Sequence, residues 1–85
     1  MMCVGLPLRL AIGRLLLDGT PRTALELCAA LQPEYAGESQ INAANLEAQL
    51  QALKGVGIVT ICDETEQGAY YGITPGGRQR VLRNL

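Results

Sequence analysis

Apolar side chains return at three- and four-residue steps in three stretches of this 85-residue chain, then change to a β-branched run. In the first stretch Leu8, Ile12, Leu15 and Leu16 form a stripe that predicts a helix over about 6–17, with Pro7 in its first turn and Asp18-Gly19 closing it. Arg9 and Gly13 fall off that stripe. Thr20-Pro21 has the order of a hydroxyl cap followed by a first-turn proline, which predicts a second helix over 21–32 with Ala24, Leu27, Cys28 and Leu31 inward. After a polar loop from Pro33 to Gln40, Asn42 caps a third helix over 42–54. Ile41 and Leu46 form a hydrophobic staple, and Leu46, Leu50 and Leu53, with Ala43, make the buried face.

Gly55 and Gly57 stop that helix, and the pattern changes. Ile58 to Cys62 reads as a strand, Asp63 to Gly68 as a polar turn, and Ala69 to Ile73 as the returning strand of a hairpin over 58–73. Thr74-Pro75 repeats the cap-then-proline device and predicts a short last helix over 75–84, weakened in its first turn by Gly76 and Gly77. Three helices, a hairpin and a helix make an α+β fold of winged helix-turn-helix outline: a three-helix core, a two-stranded wing and a C-terminal helix in a single domain over 1–85.

Composition narrows the chemistry. Apolar residues make up 48% of the chain and charged residues 18%, enough for a packed core. Phe and Trp are absent, so Leu, Ile, Val and Ala must supply that core, and the aromatics are Tyr35, Tyr70 and Tyr71. With no histidine, neither a Cys/His zinc site nor a histidine-activated nucleophile can be built. Cys3, Cys28 and Cys62 follow no C-x-x-C spacing and read as small apolar side chains in a reducing cytosol. The N-terminal apolar run is interrupted by Arg9 and Arg14, too soon for a membrane span, and no cleavage pattern follows. The expectation is a cytoplasmic protein without membrane association, cofactor or metal, and not an enzyme.

The segment INAANLEAQLQALKGVGIV, with Leu46, Leu50, Leu53, Gly57 and the pair Ile58-Val59, resembles the third helix and following strand of PadR transcriptional regulators. The return Tyr70-Tyr71-Gly72-Ile73-Thr74-Pro75, followed by Gly77-Arg78, is similar to the aromatic strand and Leu-Thr-Pro-x-Gly-Arg ending of that family. MarR regulators share a looser version. This resemblance implies a DNA-binding regulator, working as a homodimer, whose third helix enters the major groove. The chain departs from the family at Gln51 and Ala52, where basic residues are usual, and at Glu47-Ala48, where the family has Tyr-Pro. It also lacks the long dimerisation helix and the His-Gly-Tyr signature.

On the outward side of the third helix, Asn42, Ala44, Asn45, Ala48 and Gln51 are the candidate contacts to double-stranded DNA. The amides suit adenine, and the alanines allow close approach to thymine methyls. Arg22, Arg78 and Arg80 are candidate phosphate contacts, Arg22 standing at the start of the second helix. Charge points the other way. The net charge is −1, and the hairpin tip carries Asp63, Glu64 and Glu66 with no base among them. The alternative expectation is a winged-helix module that docks a protein partner through the alanine face or the tyrosine strand.

Overall fold

The computed structural model describes residues 7–35, 37 and 41–84. Cys3, the expected helix start at Leu6 and part of the loop before the third helix (36 and 38–40) lie outside the described residues. The order is α1 (Leu8–Leu15), α2 (Ala24–Leu31), α3 (Ala43–Gly55), β1 (Val59–Thr65), β2 (Gly68–Ile73) and α4 (Pro75–Asn84). Helix α2 packs on α3, α1 on α4, and the antiparallel hairpin springs from the end of α3. The expected α+β winged-helix arrangement is the one found.

The core is where the helical stripes meet. Ile12 and Leu16 of α1 and its C-cap, Leu27 and Leu31 of α2, Leu46 and Leu50 of α3, and Val59 of β1 are all fully buried. Each such side chain stabilises the fold by roughly 1.5–3 kcal/mol relative to exposure. Tyr71 joins them as the largest fully buried side chain, so the core is not purely aliphatic. Ala43, expected on the buried face, is only half-buried. Gly13, expected off the apolar stripe, is buried where α1 crosses α4. A Cβ there would lie 2.5 Å from Cγ2 of Val81, so the missing side chain sets how closely the two helices approach.

Helix α1 ends at Leu15 rather than at 17, and two further boundaries differ from the sequence pattern. Helix α2 begins at Ala24, and its cap is Thr23 rather than Thr20. Thr23 Oγ1 accepts from the Glu26 amide at 3.1 Å, while the Glu26 carboxylate accepts from the Thr23 amide at 2.9 Å. This T-x-x-E capping box outcompetes the Thr20-Pro21 signal because Arg22, between them, is drawn into a β-bridge. Thr20 instead closes a small turn, donating its amide to Asp18 Oδ1 at 2.8 Å. The second difference is the hairpin tip. Asp63, Glu64 and Thr65 continue β1, and the turn narrows to Glu66-Gln67 between the paired Thr65 and Gly68. Cys62 is a bulge between the Ile61–Tyr71 and Asp63–Tyr70 pairs, so the acidic residues extend an exposed ribbon.

The last helix is set by a close approach. Thr74 caps α4 as expected, its Oγ1 accepting from the Gly77 amide at 2.8 Å and donating to the Gly57 carbonyl at 2.6 Å. Gly77 lies directly against the backbone of Ile58, where a Cβ would come within 2.1 Å of the carbonyl oxygen. Gly77→Ala is therefore expected to destabilise the fold by about 2–3 kcal/mol, since a backbone neighbour cannot rotate away. Gly76→Ala, one residue earlier with open space at its Cβ, is expected to stabilise by roughly 0.5–1 kcal/mol. Urea unfolding of the two variants checks both signs.

Candidate nucleic-acid interface

Helix α3 is presented by its two ends. At the start, Asn42 Oδ1 accepts the Asn45 amide at 2.8 Å, so Asn42 acts here as a cap. At the end, Gly57 takes a positive φ of 81° and turns the chain into β1. With Leu46, Leu50 and Leu53 inward, Ala44, Ala48 and Gln51 fall on one outward strip and are exposed. Asn45 is half-buried on one flank, and Glu47 is exposed on the other, toward the hairpin. Four of the five candidate groove residues of α3 thus share a continuous, largely uncharged surface, and Asn42 closes its N-terminal end.

A polar network bounds that surface on the hairpin side. The buried Tyr71 of β2 donates its hydroxyl to Glu47 Oε1 at 2.5 Å and accepts from Gln51 Nε2 at 2.7 Å. Glu47 and Gln51 stand one helical turn apart, so a single hydroxyl holds both. The backbone of the same tyrosine exchanges two hydrogen bonds with Arg22, at 2.9 and 2.8 Å, which adds a one-residue third strand to the hairpin. Sequence reasoning missed this network. The available signals were the i, i+4 spacing of Glu47 and Gln51 and the placement of a tyrosine in a strand otherwise facing the core.

The candidate phosphate contacts are dispersed, and two already have partners. Arg22 pairs with Asp18 at 3.0 Å, and its Nε is buried with no hydrogen-bond partner. The Thr20 amide first, and then Arg22, hold the Asp18 carboxyl below its ordinary range. Arg78 donates to the Leu17 carbonyl at 2.5 Å, tying α4 to the end of α1. Arg80 is exposed beside a groove of about 390 Å³ that Arg9, Leu10, Leu53, Val56, Ile58 and Val81 also line. Arg22 and the α3 strip are therefore joined through Tyr71, whereas Arg78 and Arg80 stand with the α1–α4 pair. Asp63, Glu64 and Glu66 are all exposed along the ribbon, and Glu64 adds negative field at the Tyr71 hydroxyl. Among the described residues no cluster of His, Cys, Asp or Glu could hold a metal ion. No helix among them is long and apolar enough to cross a membrane.

Neither a family model nor a curated protein matches the chain. Solved structures do. The complex structure of hsRosR-S1 superposes with a TM-score of 0.79 at 21% identity, over 94% of this chain and 69% of that one. The hsRosR-S4 complex gives 0.79 and 21%, over 94% and 67%. A transcriptional regulator from Clostridium thermocellum, Cth-833, gives 0.72 and 21%, over 89% and 74%. At this identity the likeness establishes the winged-helix fold, shared with a transcriptional regulator.

Burial first, and then the bond to the Glu47 carboxylate and its charge, push the Tyr71 phenol up to about 12 from the usual 10. Between pH 10 and 12 the folded chain keeps a proton that the unfolded chain has released. Stability therefore falls as pH rises through that window, by at most about 1.4 kcal/mol per pH unit. Tyr71→Phe, which keeps the ring and removes the hydroxyl, is expected to cost about 1 kcal/mol at neutral pH. The wild-type advantage should then shrink steadily above pH 10. Urea unfolding of both proteins from pH 7 to 11.5 measures the two effects.

Proposed function

We propose that this chain is a DNA-binding transcriptional regulator of the winged helix-turn-helix type, cytoplasmic and without enzymatic activity. The observation that carries the reading is the outward strip Ala44, Ala48 and Gln51 on a helix capped at Asn42 and braced by a hairpin. Small side chains there let a helix sit deep in a major groove. Arg22, at the head of α2 and bonded to the strand that braces α3, is the nearest candidate for a phosphate. A phosphate oxygen would take the place of Asp18 on its guanidinium. Arg78 and Arg80 would contribute from α4.

The residues of α3 and of the Tyr-Tyr-Gly-Ile-Thr-Pro return support a PadR-like subfamily, with MarR the looser match. A homodimer fits the same reading, because Val56, 59% exposed, borders the apolar groove between α1, the end of α3 and α4, and a second copy would cover it. The second reading, a module that docks a protein partner, is favoured by the exposed acids of the ribbon, which a phosphate backbone would repel.

The two readings separate in a titration of labelled nonspecific duplex at about 20 mM and 150 mM salt. Binding at low salt that weakens steeply at the higher salt is the expected result. Arg22→Ala should weaken binding to all sequences alike and lower the slope of log K against log salt by about 1. Absence of binding at low salt would leave the protein-docking reading in possession.

A further inference from the structure

The Glu47–Tyr71–Gln51 network is unusual in its position. A carboxylate on the outward flank of a groove-entering helix opposes any phosphate it meets, so as a free side chain it would only weaken binding. Here it is not free. Tyr71 is fully buried, its ring fixed by the core and its backbone by two bonds to Arg22, so its hydroxyl is a stationary donor. That hydroxyl has one proton, given to Glu47 Oε1, and it is itself occupied by the Gln51 amide. The direction of the chain of bonds, Gln51 to Tyr71 to Glu47, follows from this inventory.

What remains exposed of Glu47 is chemically one-sided. Glu47 still offers Oε2 and the other lone pairs of its carboxylate, all acceptors. Gln51 keeps its carbonyl oxygen and one of its two N–H groups. In the major groove, guanine presents N7 and O6 and thymine presents O4, acceptors that a carboxylate repels. Adenine sets its amino donor beside the N7 acceptor. Cytosine presents its N4 amino donor with no acceptor next to it.

We propose, building on the DNA-binding reading above, that Glu47 is a base-reading residue that accepts the N4 hydrogen of cytosine. Tyr71 is the positioning residue that aims it. The carboxylate gives up nonspecific affinity, through repulsion of phosphates, in exchange for selection at one base pair. Gln51, one turn further along α3 and held by the same hydroxyl, reads the neighbouring position with a fixed rather than a swinging amide.

The test is selection of the full chain on a pool of duplexes with a randomised core, followed by binding curves on duplexes that differ at the selected position. For the wild type, cytosine should be preferred at one position per bound unit by on the order of tenfold, the range of a charged hydrogen bond. Glu47→Ala should abolish that preference and raise random-duplex affinity, because the repulsion of phosphates is removed. Tyr71→Phe should broaden the preference at the Glu47 and Gln51 positions while preferences at other selected positions persist, a pattern that mere loosening of the fold would not give. Thermal melting of each variant confirms the folded state, and Glu47→Gln, which alters no core atom, serves if Tyr71→Phe does not fold. A Glu47→Ala protein that keeps the cytosine preference overturns the proposal while the DNA-binding reading stands. Retained preference in a folded Tyr71→Phe protein overturns the positioning role. Failure of the wild type to bind any duplex at low salt overturns both readings together.

Discussion

The architecture turns on the side chain and backbone of Tyr71. The ring fills the core between α2, α3 and the hairpin, its amide and carbonyl zip β2 to Arg22, and its hydroxyl bonds two residues of α3. Three elements distant in sequence are thereby fixed in one place: the chain before α2, the outward flank of α3 and the second wing strand. A buried hydroxyl in an apolar core is costly if unpaired, by about 1–3 kcal/mol, so both of its bonds are needed. That need turns a core residue into a restraint on the surface. The side chains it holds, Glu47 and Gln51, are ones that would otherwise sweep through solvent.

Charge is unevenly divided. Arg9, Arg14, Arg78 and Arg80 belong to α1 and α4, while Glu47, Asp63 and Glu64 belong to α3 and β1, with Glu66 at the hairpin turn and Lys54 in the last turn of α3. Arg14 pairs with Glu34 at 3.1 Å, and Arg9 Nε donates to Gln49 at 2.6 Å, so part of the positive charge is spent on local contacts. On the proposed DNA-binding reading, the acidic ribbon beside α3 would repel a phosphate backbone, and α3 would be held chiefly from the α2 side, through Arg22. The hairpin carries Tyr71, whose hydroxyl ties β2 to α3.

Much of the fold was legible because it rests on periodicity and caps. The leucines of α3, the Asn42 cap, the Ile41–Leu46 staple and the Thr74-Pro75 start each act within a few residues, and each is found where the spacing puts it. What was not legible depends on contacts between distant segments. Thr20-Pro21 looked like a helix start until Arg22 was claimed by a strand 49 positions later, leaving the cap to Thr23. Acidic residues argued for a loop at 63–68, but an exposed two-stranded ribbon has no face to bury, so charge does not exclude it. Gly13 read as a position off the apolar stripe and Gly77 as a weak point in a first turn. Their value lies in what they approach, Val81 and the Ile58 backbone, which no local pattern contains. For the candidate interface, the strip Ala44, Ala48 and Gln51 followed from helix geometry alone. The capture of Gln51 and Glu47 by Tyr71 did not.

Shared fold at 21% identity is informative about which constraints a winged helix must satisfy, and those constraints are internal. They leave the surface open to variation, so function has to be argued from the surface itself. On that surface the candidate phosphate contact nearest α3 is Arg22. Its side chain is one-third exposed, it faces Asp18 across 3.0 Å, and its buried Nε lacks a hydrogen-bond partner. A guanidinium already bonded to a carboxylate meets a phosphate by exchange, surrendering one oxygen pair for another, so the net gain from that contact is small. Arg78, bonded to the Leu17 carbonyl, is in a similar position. With Arg9, Arg14, Arg22 and Arg78 engaged, Arg80 is left as the exposed candidate cation of α4, and the sequence-independent part of the proposed DNA binding is weakened rather than lost. On that reading, discrimination between sites would come from the face of α3, where alanines permit close approach and a single buried hydroxyl decides which way the acceptors point.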